Sequence, residues 1–285
     1  MNKNKVILFS MALPALIILF GVILYPLISG IMMSFETARQ SFTLQNYIYI
    51  FNSYEFQKSI GATFLWIVGS LPLTLLLGLI FALFLNQHIP GRGFLRALIM
   101  VAWVMPETVA GVIWNWLLLM PNGTFNDILQ SILRFQVPWL TYSTTALPVA
   151  FLINGWKGFG WTMIIFLAAL QSIDPELYEA AKVDGATSFK SFIFITLPLL
   201  VPAIILNAIF RTVWYMNQFA LIMTLTGGGP GYATTTFPVY IYKQAFSWGN
   251  FGVATAAGSI ALVVSMVLLI AYLFAGKKMG VDILS

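Results

Sequence analysis

The hydrophobic residues of this chain are concentrated in six long runs, and polar residues gather between them. The run from Val6 to Phe35 contains no charged residue, and it is too long for a signal peptide, whose apolar region has only ~7–15 residues. A helix needs ~20 predominantly apolar residues to cross a bilayer. The pattern therefore predicts six membrane-spanning helices, at about residues 7–33, 61–85, 97–119, 146–170, 199–224 and 253–275.

The most charged stretch, residues 171–198, lies between the fourth and fifth predicted spans. Aspartate is a good N-cap and proline suits the first turn of a helix, so Asp174-Pro175 predicts a helix start. Residues 176–182 favour helix by intrinsic propensity, and Gly185 can adopt the positive φ that ends a helix. We expect an elbow on one membrane face, formed by a short helix, a glycine turn and a second short helix.

The composition excludes an ordinary soluble domain. Sixty per cent of the 285 residues are hydrophobic and only 8% are charged, whereas soluble domains average ~45–50% apolar residues. The sequence has no cysteine and a single histidine, His88, which excludes disulfides and thiolate metal sites and gives no reason to expect a metal. We expect one all-α integral membrane domain over residues 1–285, without linkers.

The basic residues predict the orientation of the spans. A net charge of +5 would suggest nucleic acid as a partner of a soluble protein, but here the basic residues lie in short loops, and we expect no nucleic acid. Cytoplasmic loops carry an excess of lysine and arginine, and the larger set falls on the side of the N-terminus, so both termini and the elbow are expected in the cytoplasm. The inside set is Lys3, Lys5, Arg92, Arg96, Lys182, Lys190, Lys277 and Lys278, and the outside set is Arg39, Lys58, Arg134 and Lys243.

Ionisable residues within spans three, four and five give a second functional signal. A charge in a bilayer costs ~2.5–3.5 kcal/mol on insertion scales, so such residues usually mark a pathway or an ion pair. On span five the spacing places the polar and aromatic residues on one helix face, an arrangement that suits a sugar. The candidate substrate-binding residues are Asn207, Arg211, Trp214, Tyr215 and Gln218 on span five, Glu107 and Asn115 on span three, and Asn154 and Lys157 on span four. Alternatively, Glu107 pairs with Arg211 or Lys157 and only fixes the packing of the helices.

The elbow also carries a motif. Its residues Glu179-Ala180-Ala181, Asp184-Gly185-Ala186 and Ile195-Thr196-Leu197-Pro198 resemble the EAA loop of the permease subunits of ABC importers. A second stretch, Leu225-Thr226-Gly227-Gly228-Gly229-Pro230, is similar to one that follows the fifth span in the carbohydrate branch of that family, the relatives of the maltose and glycerol-phosphate permeases. The resemblance covers most of the chain. It implies a type I ABC importer transmembrane domain with six transmembrane helices and a cytoplasmic EAA coupling helix.

In that family the elbow docks into a cleft on an ATPase subunit. The resemblance therefore implies contact with the ATPase for Glu179, Ala180, Ala181, Asp184, Gly185 and Ala186. The implied partners are a second, homologous permease, two ATPase subunits, an extracytoplasmic solute-binding protein and a carbohydrate, with this chain in the lipid of the bacterial cytoplasmic membrane. The chain itself would bind no cofactor and catalyse no reaction, because ATP and Mg²⁺ would bind to the partner ATPase.

Two other functions fit the sequence less well. An ion-gradient-driven secondary transporter usually has acids at the membrane midplane and repeat symmetry, whereas Glu107 is the one acid within a predicted span and no repeat is visible. A membrane-embedded enzyme needs clustered histidine, cysteine or carboxylate groups, which the sequence does not offer. The stretch 227–230 is not a phosphate-binding loop, since that requires G-x-x-x-x-G-K-[ST]; we interpret it as a structural turn.

Overall fold

The computed structural model describes residues 11–37 and 42–278, and its long elements are helices. The start of the first predicted span, Lys3, Lys5 and Arg39 lie outside the described residues. In chain order the helices are α1 (Met11–Ser34), α2 (Gln45–Asn52), α3 (Tyr54–Leu85), α4 (Arg92–Val104), α5 (Glu107–Leu117), α6 (Thr124–Leu133), α7 (Ser143–Gln171), α8 (Pro175–Val183), α9 (Ser188–Asn217), α10 (Ala220–Thr226), α11 (Phe237–Tyr242) and α12 (Phe251–Lys278).

Five helices of the described part are long and apolar enough to cross a membrane, namely α1, α3, α7, α9 and α12. Together, α4 and α5 could form a sixth span, bent by 90° between them. The all-α membrane fold is therefore confirmed. Spans two, four and six follow the predicted bounds closely, except that α3 begins at Tyr54, about two turns before the predicted start.

The prediction that span three is one helix over residues 97–119 is wrong. The helix ends at Val104, Met105 and Pro106 have extended backbones with ψ of 131° and 139°, and a new helix begins at Glu107. Proline lacks an N–H group and disfavours the helical conformation of the residue before it. Pro106 therefore accounts for the break.

The prediction that span five continues to residue 224 is also wrong. Helix α9 begins early, at Ser188, passes through a π-helical stretch at Phe192–Thr196, and ends at Asn217. Gln218 has an extended backbone with a ψ of 118°, and helix resumes in α10. No proline marks this break. It coincides with a side-chain contact from Gln218 to another span, so tertiary structure rather than local sequence accounts for it.

Contacts group the residues into two compact units, and the existence of a single domain stays a prediction. The smaller unit contains residues up to Gln57 together with Tyr240–Val263. In it, Nδ2 of Asn46 donates to the carbonyl oxygens of Ser34 and Glu36, at 2.9 and 2.8 Å, which fixes the start of α2 against the end of α1.

The larger unit contains Lys58–Val239 and the residues from Val264 onwards. Its central element is α7, most of whose length is buried and which packs against α4, α9 and α10. Helices α5 and α10, the segments that follow the two breaks, pack against each other. The buried residues Trp66, Ile153 and Tyr215 belong to the core cluster beside them. The two broken spans therefore meet beside α7.

Candidate functional site

The elbow between α7 and α9 forms as predicted, and its start is fixed by a cap. Asp174 has an extended backbone, and its Oδ1 accepts a hydrogen bond from the backbone N–H of Glu176 at 3.0 Å. Pro175 occupies the first position of α8, where its missing N–H leaves no intrahelical hydrogen bond unmade. The cap satisfies one of the free N–H groups at the helix start.

A glycine turn ends α8. The φ of Gly185 is +80°, which glycine adopts at no steric cost. The N–H of Ala186 donates to the carbonyl of Ala181 at 2.8 Å, and the N–H of Gly185 donates to the carbonyl of Lys182 at 3.1 Å. These two hydrogen bonds form a Schellman motif. The chain then turns into α9, whose first turn is capped by Oγ1 of Thr187.

The elbow presents its motif outward while its inner side is anchored. Glu179, Ala180 and Asp184 are exposed, and Val183 is 89% exposed although it is apolar. On the inner side, the hydroxyl of Tyr178 lies 2.9 Å from Oγ1 of Thr196 on α9. The elbow is thus joined to a membrane-spanning helix through a side-chain contact and leaves a polar and apolar surface uncovered.

Within the larger unit, a cavity of about 240 Å³ lies at the break of span three, against α7 and the end of α9. It brings together seven of the nine residues that the sequence pointed to, from three different spans. They are Glu107, Asn154, Lys157, Arg211, Trp214, Tyr215 and Gln218. The cavity also contains residues that sequence reasoning missed, namely Trp103, Met105, Pro106 and Gly158. Pro106 was the available signal, because a proline within an apolar run indicates a break.

Arg211 lies on the buried side of α9 and is only 6% exposed. Its guanidinium donates to the carbonyl of Gly158 and, through Nε, to Oγ1 of Thr162 at 3.3 Å. A Cβ atom on Gly158 would lie 2.9 Å from the hydroxyl of Tyr215, so glycine permits this close approach of α7 and α9. Both partners of the guanidinium are uncharged.

Lys157 is 7% exposed and reaches from α7 to the broken end of α4. Its Nζ donates to the carbonyl oxygens of Met105, at 2.7 Å, and Trp103, at 3.1 Å. The last carbonyls of a helix have no intrahelical partner, and a cation is favoured at this end of the helix dipole. Lys157 therefore caps the end that Pro106 creates.

Glu107 connects the two breaks. Its Oε1 accepts hydrogen bonds from Nε2 of Gln218 at 3.0 Å and from Nε1 of Trp214 at 3.2 Å. In the part of the chain that the structure describes, it forms no ion pair with Arg211 or Lys157. The alternative prediction, an ion pair of Glu107 with Arg211 or Lys157, is therefore wrong.

Two buried amide side chains at the cavity each have one polar atom with no hydrogen-bond partner among residues 11–37 and 42–278. Asn154 is 1% exposed and its Nδ2 has no hydrogen-bond partner. Gln218 is 4% exposed and its Oε1 has none. Buried polar groups are nearly always hydrogen-bonded in folded proteins. The two residues that carry this unpaired donor and this unpaired acceptor both line the cavity.

The other two candidates lie outside the cavity. Asn207 shares the buried side of α9 with Arg211, but its Oδ1 accepts from Oγ1 of Thr162 at 3.3 Å. Asn115 donates from Nδ2 to the carbonyl of Leu225 at 2.7 Å and joins α5 to α10. A direct contact of either with substrate stays a prediction. The expected single face of span five is corrected as well, because Gln218 follows the end of the helix.

The glycine-rich stretch after α10 is a self-contained turn. Oγ1 of Thr235 donates to the carbonyl of Gly228 at 2.6 Å, and Oγ1 of Thr234 donates to the carbonyl of Gly229 at 2.8 Å. The hydroxyls of Thr226 and Thr234 lie 2.6 Å apart. These contacts account for the stretch as a structural element.

The sequence of this chain matches a known protein family and several of its members. Residues 74–281 match the family described as binding-protein-dependent transport system inner membrane component. The chain is 33% identical over 275 residues to the trehalose/maltose transport system permease protein MalF of Thermococcus litoralis, covering 94% of this chain and 93% of that one. It is 32% identical over 267 residues to the sulfoquinovosyl glycerol transport system permease protein SmoG of Agrobacterium fabrum, covering 91% and 87%.

A solved structure shares the fold over nearly the whole chain. A chain in the crystal structure of a bacterial alginate ABC transporter, in complex with an alginate pentasaccharide-bound periplasmic protein, superposes with a TM-score of 0.87. That chain is 26% identical, and the match covers 97% of this chain and 96% of that one. The predicted type I importer fold is confirmed, and the secondary transporter receives no support. The chain belongs to the binding-protein-dependent transport system inner membrane components, and it is a multi-pass permease of the ABC transporter class.

Proposed function

We propose that this chain is one of two permease subunits of an ATP-driven importer for a carbohydrate. The relatives described above are named for trehalose and maltose and for sulfoquinovosyl glycerol, and the solved neighbour was captured with an alginate-loaded periplasmic protein. These different carbohydrates favour the class without selecting one sugar. The further partners are a homologous permease, two ATPase subunits and an extracytoplasmic solute-binding protein.

The observation that carries the proposal is the polar and aromatic cavity at the break of span three. Ligand sites combine aromatic walls with a few well-placed polar groups. Here Trp103 and Trp214 supply the rings, while Asn154 and Gln218 supply a free donor and a free acceptor. A sugar would pack its C–H surfaces against the two rings and form hydrogen bonds with the two amides through its hydroxyls. At about 240 Å³, the cavity is smaller than the roughly 300–1,000 Å³ of drug-sized sites, and the second permease would complete it.

In this function the elbow is the contact with the ATPase. Glu179 and Asp184 would supply charge to that contact, and the small side chains of Ala180, Ala181 and Ala186 would allow close docking around the turn at Gly185. ATP and Mg²⁺ would bind to the ATPase, and closure of its two copies would move the elbow. The contact between Tyr178 and Thr196 would pass that movement to α9, which carries Arg211 and Trp214. The elbow and both termini would then be cytoplasmic.

Purification and transport test this proposal. The chain is purified from its own host in mild detergent, its companions are identified by mass spectrometry, and the complex is placed in proteoliposomes with ATP inside and binding protein outside. We expect an ATPase, a second permease and a binding protein to co-purify, and ATP-dependent uptake of at least one labelled sugar or oligosaccharide. A chain that purifies alone and transports with an ion gradient would overturn the proposal.

A substitution in the cavity tests the substrate path within the assembled importer. Trp214→Ala removes an aromatic wall and the donor to Glu107, so we expect lower uptake with the companions still co-purifying. The matched control is Trp116→Ala, which removes a tryptophan that is exposed on α5 and does not line the cavity. Unchanged uptake in the Trp214 variant would assign this residue to helix packing.

A further inference from the structure

The charges that line the cavity do not balance. Lys157 and Arg211 are cations, Glu107 is the carboxylate, and the cavity lining contains no further ionisable acid or base except the Tyr215 phenol. All three charged residues are described, so this balance does not depend on parts of the chain outside the structure. The cavity therefore carries one more positive than negative charge.

Two of the three charges are already matched to helix ends. Glu107 stands in the first turn of α5, where the helix dipole favours a negative charge. Lys157 binds the carbonyls at the end of α4, where the dipole favours a positive charge. Arg211 precedes the last turn of α9, which ends at Asn217, and the effect of the helix dipole falls off within that last turn. The positive charge that remains is therefore that of Arg211.

The guanidinium of Arg211 has unused hydrogen-bonding capacity. It has five N–H donors in a planar fork that matches carboxylate and phosphate geometry. Among the described residues it donates hydrogen bonds to two groups, the carbonyl of Gly158 and the hydroxyl of Thr162, and its Cζ lies 6.0 Å from the ring centroid of Tyr215. All three groups are neutral. A buried cation with neutral partners is unfavourable in a membrane unless an anion compensates it.

We propose that the carbohydrate handled by this permease carries an anionic group, a carboxylate, sulfonate or phosphate, and that this group binds Arg211 with Lys157 beside it. Both cations line the same cavity. Nδ2 of Asn154 donates a hydrogen bond to a sugar hydroxyl next to the acid, and Oε1 of Gln218 accepts one from a sugar hydroxyl. The proposal rests on the carbohydrate function above and narrows it to acidic sugars.

The test compares matched acidic and neutral sugars in the reconstituted importer, with its partner permease, ATPases and binding protein. The labelled probes are glucuronate, glucose 6-phosphate and 6-deoxy-6-sulfoglucose, each against glucose, and digalacturonate against its methyl ester. We expect at least one acid to be imported about tenfold or more faster than its neutral counterpart, the advantage of a charge-assisted contact. Which acid is imported distinguishes carboxylate, sulfonate and phosphate.

The three outcomes separate this inference from the proposed function. Import of a neutral sugar at the rate of its acidic counterpart, or faster, would overturn the acidic-sugar inference and leave the carbohydrate importer standing. Import of no probe of either kind, in a preparation whose ATPase is active, would overturn the carbohydrate function and the inference with it. A clear preference for an acid supports both.

Variants at Arg211 assign the preference to this residue. Arg211→Gln removes the positive charge, and we expect the ratio of acidic to neutral uptake to fall about tenfold. Arg211→Lys keeps the charge and should retain most of the preference. The control Arg92→Gln removes a positive charge from an exposed position outside the cavity and should leave the ratio unchanged. The same ratio of acidic to neutral uptake in the Gln and Lys variants would contradict the role of the charge. A merely structural defect lowers the uptake of acidic and of neutral sugars together, and so leaves this ratio unchanged.

Discussion

The elbow and the cavity are built in opposite ways. The turns at the two ends of α8 are held by hydrogen bonds between residues two to five positions apart, such as Glu176 to Asp174 and Ala186 to Ala181. The cavity is held by contacts between distant parts of the chain: Lys157 binds Met105, 52 residues away, and Trp214 binds Glu107, 107 residues away. A local motif can be recognised in a sequence, whereas a cavity formed by long-range contacts becomes visible only in the folded chain.

The two regions also differ in what covers them. The elbow is a solvent-facing surface with an 89% exposed valine, and we propose that a partner covers it. The cavity lies between α7 and the two broken spans, and its two cations, Lys157 and Arg211, are buried. A change on the elbow should therefore act on coupling, while a change at the cavity should act on stability or on selectivity.

The largest effect is expected from reversing a charge on the elbow. Glu179→Lys places a like charge where we propose that an ATPase residue binds, which costs several kcal/mol, or roughly a hundredfold or more in affinity. ATP-dependent uptake should be lost, and the variant should still insert into the membrane. The measurements are uptake in vesicles and the amount of chain in the membrane fraction.

Arg92→Glu is the matched control for that charge reversal, since it reverses an exposed charge outside the elbow. It should leave uptake close to normal. Normal uptake by Glu179→Lys would contradict the coupling role of the elbow and remove the contrast with the cavity.

A double-mutant cycle at the cavity should show an intermediate effect. The hydroxyl of Tyr215 lies 2.7 Å from Oγ1 of Thr74, and Tyr215 is 1% exposed. Thr74→Val leaves that buried hydroxyl without its partner, which costs about 1–3 kcal/mol of unfolding free energy. Denaturant unfolding of the purified complex in detergent measures the loss.

Tyr215→Phe should cost less, because Thr74 still donates to the carbonyl of Ser70. The double variant should lose less unfolding free energy than the sum of the losses in the two single variants, since the residues share one contact. Strict additivity would mean that this long-range hydrogen bond does not stabilise the cavity.

A smaller effect is expected from Gly185→Ala. A Cβ atom at this position would meet no other atom within 4 Å, and the φ is +80°, so backbone strain of about 1–2 kcal/mol is the sole cost. Hydrogen exchange of the backbone amides in residues 175–191 should become faster by the factor that this loss of free energy implies. The cavity, which does not depend on this turn, should keep its exchange rates.

Gly93→Ala provides the comparison for Gly185, because Gly93 lies within α4, where a Cβ atom also meets nothing within 4 Å. It should stabilise its helix slightly. Equal exchange rates in the elbow for both variants would show that the positive φ carries no strain.

The smallest effect is expected from Asp174→Ala. The N-cap hydrogen bond to Glu176 is lost, which costs about 1 kcal/mol of local helix stability. Exchange should rise in the first turn of α8 alone, as followed by mass spectrometry of the elbow peptides. Asp174→Asn keeps an acceptor and should restore most of the protection; a loss as large as that of alanine would point to the charge instead of the cap.

The sequence identified most of the spans and seven of the cavity residues because membrane length and intramembrane charge are strong local signals. It did not show which polar residues meet. Asn115 and Asn207 have the same residue type and similar surroundings in sequence as Asn154, yet they bind neighbouring helices outside the cavity. Their placement depends on the rotation of each helix against α7, which a pattern along one helix does not fix.

The amino-acid sequence by itself determined the membrane class and the elbow, because each follows from composition or from residues a few positions apart. Asp174 and Gly185 set the two ends of α8 without help from the rest of the chain. The tertiary structure alone decided the break of span five at Gln218, which coincides with a hydrogen bond to Glu107 on another span. It also decided that Arg211 has neutral partners instead of a carboxylate. Such outcomes depend on which side chains compete for one partner in a buried space, and that competition exists only once the helices have packed.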